Sequence, residues 1–385
     1  MYVKLLDYGA IAFIFFNVLA FDFPIAGIPV RYILLVCMFL VTLCIKLDKS
    51  TQRAIYSFFV KVIIAYSLLI SYSLIKGNDF QNVKLFITPL FIFLMIPTYA
   101  YLIKRNGVER YLNTFVFSNA CLIVFFIYLL YRTIQDPGWG MRFGDSDSQA
   151  LVTVVVYDRL PRIIIKTFVF LVPAASYLLF KFDGVKMHLC FFVLLILSLI
   201  SQTFGVTIGV IFVYLVVLLK KRKRKVLASY TVLAIIIGGL YFGVVADSLM
   251  ENKEGSVGEK QEQVMNLSKD MGALDYLFGR GLGVEFVNFD ARKCKDTYLE
   301  VAAVQIFQSC GLFFSLLFFV AYLFPAITLL RKANNNTEYG LSYAQIGLIV
   351  SSLTNPYMWS GGVGLLFIVL IVAYLSVKKT SLKSI

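Results

Sequence analysis

Apolar runs long enough to cross a bilayer recur from one end of this chain to the other, and they decide the fold class before any motif is read. A span needs about 20 mostly apolar residues to cover a hydrocarbon layer of about 30 Å. Such runs are predicted at 5–22, 30–45, 54–75, 83–103, 112–134, 163–180, 187–202, 204–219, 226–247, 296–324, 340–355 and 360–377. The first is read as a span and not as a cleaved leader, because it is long, lacks a clear small-residue cleavage site and is followed by further spans. The expected fold is all-α: one polytopic membrane domain over 1–385 with about twelve transmembrane helices. Composition agrees. The chain is 59% hydrophobic and 15% charged, with a mean hydropathy of +0.81. A soluble domain sits near 45–50% apolar and about 25% charged.

The run KKRKRK at 220–225 orients the spans, because cytoplasmic loops collect Lys and Arg. Alternating outward from it puts both termini in the cytoplasm. Two long loops, 135–162 and 248–295, then face the periplasm, the second between helices 9 and 10. The predicted cytoplasmic segments hold 20 basic and five acidic residues, and the outer ones hold 15 and 17. This asymmetry accounts for the net charge of +14 as topology, and no nucleic-acid motif accompanies it. Lys61 lies inside a span, within reach of the cytoplasmic edge. All six cysteines except Cys294 fall in apolar runs without a CxxC pair, so neither a disulfide framework nor a metal site is expected. Pro89, Pro97, Pro173 and Pro325 are expected to kink helices.

The outer loops hold the candidate chemistry. The first carries Arg142, Arg159 and Arg162. The second carries a predicted surface helix at 257–271, then Gly279, Gly281 and Gly283 around Arg280, then Arg292, Lys293 and Lys295. Asp296 and Glu300 open the next span at i, i+4, which puts both on one helix face. Asp296 also suits an N-cap and Glu300 a first-turn acid. Trp139, Tyr157, Tyr298, Tyr357 and Trp359 suit either a sugar path or an interfacial aromatic belt. Asn355 and Pro356 suit either sugar contact or a turn.

Leu277, Phe278, Gly279, Gly281 and Gly283, followed by Asp296, Thr297, Tyr298 and Leu299 and then by Gly311, resemble a pattern of the O-antigen polymerase/ligase superfamily. The match is close over about forty residues, and elsewhere it is one of layout. The ligase branch has a histidine where this chain has Asp296. The only histidine here, His188, is predicted at a cytoplasmic edge, which favours the Wzy-type polymerase branch. Relatives also carry an arginine near LISQTFGVTIG, 199–209, where this chain has Phe204.

The resemblance implies a glycosyltransferase of lipopolysaccharide biosynthesis. It would move a glycan from undecaprenyl diphosphate onto the distal sugar of another lipid-linked repeat unit. Its partners would be undecaprenyl-diphosphate-linked oligosaccharide, membrane lipid and a chain-length regulator protein, with no cofactor and no metal. Arginine suits the diphosphate, because its planar fork binds phosphate oxygens bidentately and keeps its charge. The candidates are Arg142, Arg159, Arg162, Arg280 and Arg292, with Tyr298 as a further substrate contact. A partly desolvated carboxylate suits the base, and Asp296 at the motif position precedes Glu300 as candidate. A ligase and a flippase of lipid-linked oligosaccharide are the rival readings. A flippase predicts charges and broken helices at mid-membrane.

Overall fold

A computed structural model describes residues 2–19, 24–25, 28–138, 152–155, 162–201, 203–222, 271–285, 302–352 and 363–381. Helix dominates. In chain order the helices are α1 (Tyr2–Leu19), α2 (Val30–Leu43), α3 (Lys49–Ile75), α4 (Phe80–Ile87), α5 (Ile96–Asn106), α6 (Glu109–Gln135), α7 (Leu171–Lys181), α8 (Gly184–Ile200) and α9 (Phe204–Lys220). They continue with α10 (Ala273–Phe278), α11 (Ala302–Arg331), α12 (Asn336–Ser352) and α13 (Val363–Ser381). Every predicted span holds helix except 226–247, which lies outside the described residues. Among the described residues, three helices are long and apolar enough to cross a membrane on their own: Lys49–Ile75, Glu109–Gln135 and Ala303–Arg331.

The polarity of the bundle is that of a membrane protein. Large apolar side chains face outward on the long helices: Ile63, Ile64 and Leu68 on α3, Phe117, Val124 and Ile127 on α6, Leu316, Val320 and Phe324 on α11. Polar side chains turn inward and bond their own helix or a neighbour. Asn17 donates to the Phe13 carbonyl, Asn119 to that of Phe115, and the Thr42 and Thr98 hydroxyls pair at 2.6 Å. In hydrocarbon, unpaired backbone and side-chain polar groups are costly, so this inward pairing is what lipid demands.

Several predicted spans are broken where their sequence breaks them. The segment 83–103 is realised as α4, a 3-10 stretch Thr88–Met95 with Pro89 in its first turn, and α5 with Pro97 in its first turn. The segment 163–180 differs more. It begins as a short antiparallel hairpin, β3 (Val152–Val155) with β4 (Arg162–Ile165), and passes through a 3-10 turn, Lys166–Phe170, before α7 starts. The β-branched runs Val-Thr-Val-Val and Ile-Ile-Ile favour strand over helix. At 11 residues α7 reaches about 16 Å, too short to cross alone. It is wrapped by protein: Phe168 through Val172 are fully buried. Small residues let α9 and α12 close on it. Ser176 donates to the Gly340 carbonyl, and a methyl at Gly347 would lie 2.9 Å from both Val172 and Val213.

Charged side chains gather at one end of the bundle. Asp7 accepts from Arg110, Tyr111 and Asn106. Asp48 caps α3 and pairs with Lys104. Lys221 pairs with Asp183 and closes the α7 terminus through the Leu179 and Phe182 carbonyls. Glu109 accepts from Thr337. These links tie together every described turn that the sequence assigns to the cytoplasm. His188 sits on the α8 turn nearest this end, bonded to the Tyr214 hydroxyl at 2.6 Å, a structural tie.

The deepest of these pairs is Glu338, 2% exposed, which takes the Lys378 ammonium, the Tyr374 hydroxyl and the Asn334 N–H. Glu338→Gln leaves Lys378 without its carboxylate. It is expected to cost about 2–4 kcal/mol, read as a lowered midpoint of unfolding in detergent.

Candidate functional site

The opposite end of α3 reaches the glycine-rich turn. Gly279, Gly281 and Gly283 all adopt positive φ, at 79°, 91° and 72°. The turn is threaded between three elements. Tyr72 donates its hydroxyl proton to the Gly279 carbonyl at 2.7 Å, and the Ser73 hydroxyl accepts from Leu282 N–H at 2.7 Å. The Asn78 amide donates to the carbonyls of Arg280 and Leu282, both at 2.9 Å. A methyl on Gly283 would meet the backbone of Asn82 and Val83 at the start of α4.

The third element is α11, which is broken at Gly311, φ 60° and ψ −173°. Two carbonyls ahead of the break accept from the turn: Arg280 N–H donates to Gln308 at 2.7 Å and Gly281 N–H to Ser309 at 2.9 Å. Gly279 and Gly311 face each other backbone to backbone. A Cβ on either would fall closer than 3.0 Å to main-chain atoms of the other segment. Glycine is needed at both positions for two separate reasons, the sign of φ and the closeness of approach.

Lys76 and Asp275 latch the rim with an ion pair at 2.8 Å. Burial pushes the Asp275 carboxyl up, but hydrogen bonds from Lys76 and the Gly272 N–H outweigh it and hold the group below the usual carboxylate range. The bond to Asp275 raises Lys76 in turn. A depressed carboxylate stabilises the fold above its unfolded value near 4 and ceases to as pH falls through its folded value. The raised ammonium stabilises below about 10.4 and is lost as pH rises past its folded value. The latch therefore holds across the neutral range.

Of the candidate site residues, Arg280 is the one whose side chain is described. It is half-buried on the clamped turn. Among the described residues its guanidinium has no ion pair and no side-chain hydrogen bond, though its charge helps to keep Asp275 ionised. Arg162 opens β4 opposite Val155, placed by its backbone alone. Arg142, Arg159, Arg292, Asp296, Tyr298 and Glu300 lie outside the described residues, as do Trp139, Tyr157, Asn355, Pro356, Tyr357, Trp359 and all of the predicted surface helix but Met271. The structure thus brings together Gly279 and Gly311 from the motif, with Arg280 next to the first of them.

Sequence reasoning passed over the residues that build the clamp, Tyr72, Ser73, Lys76, Asn78 and Asp275. It also passed over Gln305, Gln308 and Ser309, a polar stripe at i, i+3, i+4 inside a span. Polar residues within an apolar run are themselves a signal of function, and that signal was available for the stripe. No family model matches the chain, and no curated protein matches it.

Gly311→Ala is expected to lower stability by about 3–5 kcal/mol, since strain at positive φ adds to backbone overlap. Gly77→Ala has the same sign of φ but open space around it, and should cost only about 1 kcal/mol. Unfolding midpoints of the two variants, measured side by side, separate strain from overlap. Asp275→Asn should lower the midpoint slightly at pH 7, by no more than about 1 kcal/mol, and the difference should fade as pH falls through the depressed folded value of Asp275.

Proposed function

We propose that this chain is a polymerase of lipid-linked glycan, joining repeat units carried on undecaprenyl diphosphate at the outer face of a bacterial inner membrane. One observation carries the reading. A half-buried guanidinium, without an ion pair or side-chain hydrogen bond among the described residues, is held on a turn whose backbone is fixed from three sides, between the glycines of the run that carries the superfamily resemblance. A fixed cation is what a diphosphate leaving group requires, because negative charge develops on it in the transition state. The neighbouring Lys76 is already committed to Asp275, which leaves Arg280 to meet an incoming anion.

In this reading the guanidinium of Arg280 binds diphosphate oxygens, aided by Arg142, Arg159, Arg162 or Arg292 from the outer loops. Asp296, or Glu300 one turn later, takes the proton from the acceptor hydroxyl, and Tyr298 contacts the sugar. The bond from the anomeric carbon to the diphosphate oxygen breaks as the bond to the acceptor oxygen forms. The diphosphate leaves on its lipid, held by arginine alone. The cation-rich end of the bundle faces the cytoplasm, and a separate chain-length regulator acts on the product.

The test is deletion in the host, followed by gel analysis of its surface polysaccharide. Deletion should collapse the ladder to core plus one repeat unit. The wild-type chain should restore it. Arg280→Ala should fail to, at normal abundance in the membrane, with a loss of activity of about 100-fold or more. Bare core with polymer accumulating on undecaprenyl diphosphate would indicate a ligase. Single units trapped on the cytoplasmic face would indicate a flippase. Either outcome overturns the proposal.

A further inference from the structure

One face of the first two turns of α11 is buried, yet it is not apolar. Gln305 and Gln308 are 0% exposed and Ser309 is 1% exposed, between buried Val304, Ile306 and Cys310. Spacing of i, i+3, i+4 places the three polar side chains on one face. Among the described residues, both amide atoms of Gln308 and the hydroxyl of Ser309 have no hydrogen-bond partner. Leaving a buried amide unsatisfied costs about 1–3 kcal/mol, a cost that leucine or methionine would avoid. Their backbones are fully engaged: the Gln308 and Ser309 carbonyls carry the Arg280 turn. The side chains are therefore surplus to the clamp.

Their chemistry restricts what could satisfy them. An amide offers a donor and an acceptor side by side, and a hydroxyl offers both in one group. A cation would use only the oxygens, and a phosphate only the N–H and O–H. A neutral ring with adjacent hydroxyls uses all of them. The stripe also adjoins the turn that carries Arg280. Sugar on the amide beside phosphate on the guanidinium is the order of groups in a glycosyl diphosphate. Resting on the function proposed above, we infer that Gln308 and Ser309 form a hydroxyl-binding subsite for the sugar nearest the diphosphate of the lipid-linked donor. Entry requires a local opening, and the break at Gly311, which divides α11 into two helices, is where the outer segment can part from its surroundings.

The experiment uses the full chain in lipid nanodiscs with three probes: undecaprenyl-diphosphate-linked oligosaccharide extracted from the deletion strain, undecaprenyl diphosphate alone, and the free oligosaccharide. Gln308→Met keeps the shape and removes the amide. Without ligand it should melt about 2 °C higher than wild type, because an unsatisfied buried group is gone. It should lose about tenfold in affinity for the glycan-bearing lipid and stay within about twofold of wild type for undecaprenyl diphosphate alone. Ser309→Ala should follow with a smaller loss. Binding of the free oligosaccharide by wild type but not by Gln308→Met would assign the subsite to the sugar itself, whatever carries it. Equal affinity of wild type and Gln308→Met for the glycan-bearing lipid overturns the subsite while leaving the polymerase reading intact. A lower melting point in Gln308→Met overturns its premise. Wild type that binds no probe overturns the subsite and the proposed function together.

Discussion

Within a bilayer a helix cannot simply stop, because each carbonyl it releases must find a donor in the protein itself. Where α11 breaks at Gly311, the carbonyls of Gln308 and Ser309 are taken by two consecutive N–H groups of another segment, Arg280 and Gly281. That exchange requires the two backbones to come together with no side chain between them, which is why Gly279 faces Gly311. Much else at this end follows from it. The turn must run at positive φ, so glycines recur at alternate positions. Its own carbonyls then need donors, and Tyr72 and Asn78 at the far end of α3 supply them. The peptide at Arg280 is bonded through both its N–H and its C=O, and the guanidinium is carried on the most constrained backbone in this part of the molecule.

The two ends of the bundle use charge differently. At the end tied together by Asp7, Asp48, Asp183 and Glu338, acids are matched to bases that come from other helices. Such pairs fix helix ends relative to one another. At the opposite end Lys76 and Asp275 neutralise each other, and Arg280 remains beside them.

Helix positions could be read directly from the sequence, since a 20-residue apolar run has few alternatives in lipid. Where the reading ran short, local chemistry explains it. The segment 163–180 scored as a span because hydropathy does not separate Ile-Ile-Ile in a strand from the same residues in a helix. Only the short reach of α7 and the burial of nine of its 11 residues reveal an interior element. The pairing of motif halves was visible as spacing, Gly279 to Gly311, but the reason for it was not. Positive φ at Gly311 is a property of a helix interior that no periodicity announces. The clamp residues were invisible for a further reason. Tyr72, Ser73 and Asn78 lie about 200 positions from the turn in sequence, and nothing local marks them as its donors.

Gln308 and Ser309 of α11 bear on what the clamp is for. A turn held by backbone bonds alone would tolerate any apolar residue at 305, 308 and 309, and lipid-facing economy would favour leucine. Burying the Gln308 amide, which bonds nothing among the described residues, lowers stability, and such a cost persists where function needs the group. The break at Gly311 has the same character, since an unbroken helix would be more stable and would need no partner. Strain and unsatisfied polarity coincide within four residues of one another and within one peptide of Arg280. A structural device requires neither. The proposed site, an anion and a neutral ring held side by side, would need a rigid backbone for the first and free hydrogen-bonding groups for the second, and among the described residues this clamp and these side chains offer both.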